Sequence, residues 1–196
     1  WLISQKWFKE RYEKMHNEVR TLLENSDNRR TNESIVIYTD GSCSNNGIKS
    51  KVKVGGCGVH FSIRNKIKLV DISIKLKEAY KIFTLNDYIE TEDTNNKAEL
   101  MAICLALEKC KKIKMKIIIY TDSEYCLKVI KVWYPLWEKK GIVKNKKNNE
   151  IIELIINHMN ALDVELKHVR AHTGYVDEIS IGNSNADKLA CLGRQE

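Results

Sequence analysis

The tetrapeptide Ile-Tyr-Thr-Asp occurs twice in this chain, and its two copies end in Asp40 and Asp122. Each copy closes a short run of β-branched residues, 35–37 and 117–119, of the kind that forms buried strands. If the two strands lie side by side and parallel, both carboxylates meet at the sheet edge where open α/β folds bind ligands. Like charges at such range repel unless protons or cations intervene, so the pair predicts a metal site.

Glu99 and Asp187 are two further acids that could reach the same edge, because both lie near the start of a predicted helix. Each of the four acids also has a structural explanation. Asp40 precedes a glycine, which is a hairpin-turn signal, and Asp122 stands where a helix N-cap belongs. Glu99 and Asp187 each follow a potential N-cap residue by three, the spacing of a capping box. Singly, each acid favours the structural explanation; together, at element ends that can share one edge, they favour a ligand cluster.

The elements that must position these acids alternate along the chain in a pattern typical of a mixed sheet with helices on its faces. Predicted strands span residues 34–40, 55–61, 66–76, 116–122 and 164–169, and predicted helices span residues 96–112, 123–132, 150–161 and 185–192. The first three strands form a meander. Residues 77–93 give no clear signal, although their apolar side chains could extend the sheet.

The N-terminal segment has a different pattern. Apolar side chains recur at steps of three and four over residues 4–25, which predicts an amphipathic helix. The polar stretch 25–32 predicts a linker. We therefore expect a boundary between residues 1–32 and a main domain of residues 33–196. The helix could pack on the main domain, or residues 1–30 could bind a protein partner or connect to an upstream domain.

Composition narrows the class of protein. The 196 residues are 43% apolar and 30% charged, as in soluble globular domains, and no apolar stretch is long enough to span a bilayer. A net charge of +7 favours an anionic partner such as nucleic acid, although a lysine-rich surface also serves solubility. Six cysteines without a CxxC pair predict free thiols. We expect an intracellular, monomeric protein without membrane association.

Five segments of the chain resemble, in the same order, the motifs of type 1 ribonuclease H. They are Tyr-Thr-Asp-Gly-Ser-Cys-Ser-Asn-Asn-Gly at 38–47, Thr-Asn-Asn-Lys-Ala-Glu-Leu at 94–100, Tyr-Thr-Asp-Ser at 120–123, His-Val-Arg-Ala-His-Thr-Gly at 168–174 and Asn-Ser-Asn-Ala-Asp-Lys-Leu-Ala at 183–190. Five motifs in order are far more specific than any one of them. The resemblance covers about residues 34–193. It implies an α/β, RNase H-like fold: a five-stranded mixed sheet flanked by helices, with the first and fourth strands adjacent and the N-terminal helix as an addition.

The activity that the resemblance implies is endonucleolytic hydrolysis of the RNA strand of RNA–DNA hybrids, with 5′-phosphate and 3′-hydroxyl products. It makes Asp40, Glu99, Asp122 and Asp187 the ligands of two Mg²⁺ ions, with Mn²⁺ as a possible substitute. Asp40 would bridge the ions, Asp187 would serve the ion that activates water, and Glu99 and Asp122 the ion beside the leaving group. His172 matches the family's mobile-loop histidine, which is thought to aid proton transfer and product release.

Further residues match the family's substrate contacts. Asn46, Asn95 and Asn96 match residues that contact the RNA strand in the minor groove, where a protein can sense 2′-hydroxyl groups. Thr94 and Asn148 match a pocket for a phosphate of the DNA strand.

The segment after the fourth strand is basic and aromatic. Trp133 resembles an aromatic residue of the family's substrate-handling helix and could lie against a DNA sugar, whereas we expect Trp137 to pack in the core. Pro135, the only proline, should kink or start a helix. Lys139 and Lys140 begin a lysine-rich stretch suited to phosphates.

Three other functions are compatible with this fold. The domain could bind nucleic acid or a partner without catalysis, although such copies usually lose one of the acids. It could act on another substrate, as resolvases and transposases do. It could also be the nuclease domain of a reverse transcriptase, with the first helix as the remnant of a connection.

Overall fold

The computed structural model describes residues 34–48, 52–85, 88–89, 92–170 and 177–195. The predicted N-terminal helix and linker lie outside these residues, as does His172, so the boundary at residue 32 stays a prediction. Within the described ranges, no helix has both the length and the apolar character needed to cross a membrane.

Five strands form one mixed sheet. They are β1 (Ser34–Cys43), β2 (Gly55–Phe61), β3 (Ile72–Lys75), β4 (Lys116–Thr121) and β5 (Val164–His168). Their order is β3-β2-β1-β4-β5. The first three strands are antiparallel, whereas β1 with β4 and β4 with β5 are parallel. This confirms the predicted meander, the mixed sheet and the adjacency of the first and fourth strands.

The repeated tetrapeptides lie side by side in register. Tyr38 pairs with Tyr120 and Thr39 pairs with Thr121. The isoleucines at 35, 37, 117 and 119 are fully buried, and because side chains alternate along a strand, all four line one face of the sheet. Because equivalent residues of the two tetrapeptides pair, Asp40 and Asp122 occupy equivalent places at the ends of the β1 and β4 tetrapeptides.

Helices cover both faces of the sheet. They are α1 (Leu76–Ile82), α2 (Asn95–Cys110), α3 (Glu124–Lys128), α4 (Tyr134–Lys139), α5 (Asn149–Ala161) and α6 (Glu178–Gly193). Both α2 and α6 pack on β1 and β2. They lie on opposite faces, because Gly41 points towards α2 whereas Gly58, the partner of the preceding Asp40, points towards α6.

A π-helical turn, Val129–Trp133, joins α3 to α4. The N–H of Tyr134 donates to the carbonyl of Val129, five residues earlier, and Pro135 then stands in the first turn of α4. A proline ring clashes with the carbonyl four residues earlier in a regular α-helix, and the wider turn relieves that clash. The predicted helix 123–132 is therefore divided, and Pro135 starts a helix as expected.

The third strand is shorter than predicted. Residues 66–71 are not in the sheet, because the carboxylate of Asp71 accepts the N–H of Phe61 at 2.9 Å and replaces a backbone partner there. The ladder with β2 starts where Val59 pairs with Ile72. At the other end, Leu76 begins α1, so the suggestion that the apolar residues after position 76 extend the sheet is wrong.

The last helix begins seven residues earlier than predicted, at Glu178. Asp177 caps it, since its carboxylate accepts the N–H of Ser180 at 2.9 Å. Ser184, which the sequence suggested as a cap, is buried in the helix interior.

The core lies between the sheet and the helices. Its largest fully buried side chains come from β1, β4, α1, α2 and α5 and include Leu100, Met101, Ile103, Leu107 and Ile151. All six cysteines carry free thiols, and five of them are buried. This confirms the prediction of free thiols.

Candidate active site

Three of the four acids converge. Asp40, Glu99 and Asp122 each place a carboxylate oxygen within 4.8 Å of the others. Asp40 and Glu99 are both 7% exposed, and Asp122 is half-buried. Asp187 stands outside this tight group but lines the same cavity, from α6.

Asp40 does not belong to a turn. Strand β1 continues through Gly41, which pairs with Cys57, as far as Cys43. A methyl group at position 41 would overlap the backbone nitrogen of Glu99. The absence of a side chain at Gly41 therefore lets α2 approach β1 to backbone contact, and this brings Glu99 beside Asp40.

Neither Glu99 nor Asp122 caps a helix. Thr94 caps α2, with its hydroxyl accepting the N–H of Lys97 at 3.1 Å. Ser123 caps α3 in the same way, through the N–H of Cys126 at 3.3 Å. The carboxylates are thus available to the cavity, and Glu99 Oε2 is buried with no hydrogen-bond partner within the described ranges.

Asp187 lies in the third turn of α6, not in its first turn as predicted. The helix backbone rests directly on β2: methyl groups at Gly58 and Gly56 would overlap the carbonyl oxygens of Ala186 and Ala190. This close contact fixes the height of Asp187 above the sheet. The thiol of Cys191, one turn further on, lies 3.7 Å from Asp187 Oδ1.

Asn183 is a site residue that the sequence reasoning missed. Its Nδ2 donates to Asp122 Oδ2 at 3.0 Å, and it lines the cavity with the acids. Asn183 precedes Asp187 by four residues, which places both on one face of a helix. This helical spacing was not recognised, because the last helix was predicted to begin at residue 185 and residue 183 was expected in a loop.

Burial and mutual repulsion dominate the electrostatics of the cluster. Burial raises the pKa of Asp40 to about 7; the carboxylates of Asp122 and Asp187 add to this rise, and a hydrogen bond with Glu99 opposes it. Burial and the charge of Asp40 raise the pKa of Glu99 well above its ordinary value. A buried set of oxygen donors with raised pKa values, one oxygen of which accepts no hydrogen bond from the described residues, fits a hard divalent cation such as Mg²⁺.

The raised pKa of Asp40 predicts a pH-dependent effect of Mg²⁺ on stability. Between its ordinary value of 3.8 and about 7, folded Asp40 holds more protons than unfolded Asp40. Its contribution to the stability of the metal-free protein therefore falls as pH rises through this window. A bound cation removes the repulsion, so Mg²⁺ should raise Tm more at pH 8 than at pH 5.

Thermal unfolding with and without Mg²⁺ at each pH measures this difference directly. Surface carboxylates titrate in both samples, so subtracting the metal-free curve removes their contribution. An equal increase in Tm at the two pH values would contradict the expectation.

The asparagines expected to contact RNA lie beside the cavity. The backbone N–H of Asn95 donates to Asn46 Oδ1 at 3.4 Å, so the turn after β1 meets the start of α2. Asn95 also lines the cavity, and Asn46, Asn95 and Asn96 are all exposed. Thr94, expected at a DNA phosphate, is the N-cap of α2.

The remaining predicted contacts lie outside the cavity lining. Asn148 has a left-handed backbone, with φ of 61°, and its Nδ2 donates to the Tyr125 hydroxyl at 3.4 Å. Trp133 is 37% exposed, and Trp137 packs against the core as expected. The side chains of Lys139 and Lys140 are exposed.

Comparisons with known proteins agree with this geometry. The RNase H family model matches residues 32–195. Ribonuclease H of Pseudomonas aeruginosa (strain LESB58) is 32% identical over 84% of this chain and 95% of its own length. Ribonuclease H1 of Rattus norvegicus is 30% identical over 84% of this chain but 51% of its own length, so the chain spans about half of that relative. The solution structure of the prototype foamy virus RNase H domain has a TM-score of 0.62 and 25% identity, and the match covers 82% of this chain and 94% of that domain. The chain therefore belongs to the ribonuclease H family.

Proposed function

We propose that this protein is a ribonuclease H that hydrolyses the RNA strand of RNA–DNA hybrids in a metal-dependent reaction. The observation that carries the proposal is the convergence of Asp40, Glu99 and Asp122 within 4.8 Å, in a cavity that Asp187 also lines. Membership of the family supports the same reaction.

The four acids would hold the cations. Glu99 offers a buried oxygen that accepts no hydrogen bond from the described residues, and Asp40 lies within reach of both other acids of the tight group. Two Mg²⁺ ions, or Mn²⁺ in their place, would when bound help to activate water and offset the negative charge on the leaving oxygen. Water would attack the phosphorus and the bond to the 3′-oxygen would break, which leaves 5′-phosphate and 3′-hydroxyl ends.

The chain's other residues would select and hold the hybrid. Asn46, Asn95 and Asn96 would contact the RNA strand, since they are exposed beside the cavity and carry donors and acceptors for 2′-hydroxyl groups. A net charge of +7 supports binding to phosphates.

The DNA strand would meet a second group of residues. Trp133 would lie against a sugar, Thr94 and Asn148 would bind a phosphate, and Lys139 and Lys140 would add nonspecific attraction. His172, outside the described residues, would aid proton transfer and product release.

A cleavage assay with three substrates tests the proposal. The full chain should cut RNA–DNA hybrid in the presence of Mg²⁺ and leave double-stranded RNA and double-stranded DNA intact. Chelation of the metal should stop the reaction, and analysis of the product ends should find 5′-phosphates. Absence of hybrid cleavage, or equal cleavage of all three duplexes, would refute it.

A further inference from the structure

We propose that Asn183 is a positioning residue of this site: its amide N–H groups orient the carboxylate of Asp122, and its amide oxygen accepts a hydrogen bond from a cation-bound water in the cavity. The effect of Asn183 on catalysis rests on the proposed function. The structural basis of the inference is independent of that function, because it lies in the contacts of one buried side chain.

The side chain of Asn183 is strongly enclosed. The residue is 6% exposed and lines the acidic cavity. Its Nδ2 lies 3.0 Å from Asp122 Oδ2. Its Oδ1 is buried and accepts no hydrogen bond from any residue in the described ranges.

Chemistry fixes which end of the amide faces Asp122. The reversed orientation would set a carbonyl oxygen against a carboxylate oxygen, and both are acceptors. The donor end therefore faces Asp122, and Oδ1 is left for another donor. A buried acceptor without a donor is unfavourable. Water polarised by a cation is the strong donor that a cavity lined with carboxylates attracts.

The position of Asp122 in the chain explains why its side chain needs such a contact. Asp122 follows the last residue of β4 and precedes the cap of α3, so neither element encloses its half-buried side chain. Asn183 holds it from α6, the helix that also carries Asp187 one turn later. One helix thereby sets the placement of two acids, Asp187 on α6 itself and Asp122 at the end of β4.

Asn183→Ala is the primary test, with Asn185→Ala as the matched control. Asn185 lies on the same helix and is equally buried, but its amide contacts His60 and it does not line the cavity. Three measurements apply to the 196-residue chain and to each variant of it: calorimetric titration with Mg²⁺ without substrate, kcat and KM for hybrid cleavage, and thermal unfolding. Asn183→Ser repeats the test if the alanine variant does not fold.

We expect Asn183→Ala to weaken Mg²⁺ binding and lower kcat by about 10-fold or more each, as partners of metal ligands do, with little change in KM. Asn185→Ala should bind Mg²⁺ and cleave like the wild type, whatever its Tm. Mg²⁺ binding and kcat within about 2-fold of the wild type in Asn183→Ala would overturn the inference. If the wild type does not cleave hybrid, the proposed function fails, and the Mg²⁺ titrations still decide the role of Asn183.

Discussion

Asp40→Asn is expected to abolish hybrid cleavage and to raise the Tm of the metal-free protein. The amide has nearly the shape of the carboxylate but no charge, so the variant lacks the carboxylate that we propose as the central cation ligand. We expect a fall in kcat of about 10³-fold or more. The stability should rise because burial and the neighbouring carboxylates disfavour the Asp40 charge, as its pKa of about 7 indicates.

The gain in stability should depend on pH. Charge on folded Asp40 develops as pH rises towards and beyond about 7. The Tm of the metal-free variant should therefore exceed that of the wild type most clearly at pH 8 and only slightly at pH 4. A difference of about 5 °C in Tm is expected at the higher pH. Asp163→Asn is the control, because Asp163 is an exposed acid before β5. Cleavage near the wild-type rate by Asp40→Asn would contradict the metal-binding role.

Gly41→Ala is expected to destabilise the protein by about 3 kcal/mol or more and to impair cleavage. The added methyl group meets backbone atoms of Ala98 and Glu99, which cannot rotate away as a flexible side chain can. Helix α2 would have to move away from β1, and Glu99 would then leave Asp40. Chemical denaturation measures the loss of stability, and Mg²⁺ titration of the folded variant measures the loss of the site.

Gly141→Ala is the control for the loss of glycine itself. Gly141 has φ of +65°, and a methyl group there meets no atom of the described residues within 4 Å. Only backbone strain of about 1 kcal/mol is expected, with normal cleavage. If the two alanine variants were equally stable and equally active, the close approach of α2 would not be what holds Glu99 in place.

The sequence predicts the arrangement around Asp40 and Asp122 because that information is local. Runs of β-branched residues identify buried strands, and the repeated tetrapeptide indicates equivalent positions in two of them. Glu99 was placed correctly on its helix for a similar reason, since the apolar period of residues 96–112 is clear. The structural explanations offered for these acids fail because Thr94 and Ser123 cap the helices instead.

The start of the last helix could not be predicted from the local sequence in the same way. Its first turns contain Ser180, Gly182, Asn183 and Ser184, which are residues typical of a loop. They are buried because they face the sheet and the acidic cavity, and Gly182 lies against the ring of Tyr38. Partners far away in the sequence, such as Tyr38 and Asp122, therefore decide this helix. The role of Asn183 was hidden for the same reason.

The glycines under α2 and α6 indicate which positions of this protein tolerate substitution and which do not. Both helices rest on the sheet through main-chain atoms at positions 41, 56 and 58, so the spacing of Glu99 and Asp187 does not depend on which apolar side chains fill the interior. Exchanges of similar volume among the buried leucines and isoleucines should alter melting behaviour and leave Mg²⁺ affinity unchanged. Homologues or engineered variants could thus diverge widely in their interiors while these three small residues stay constant.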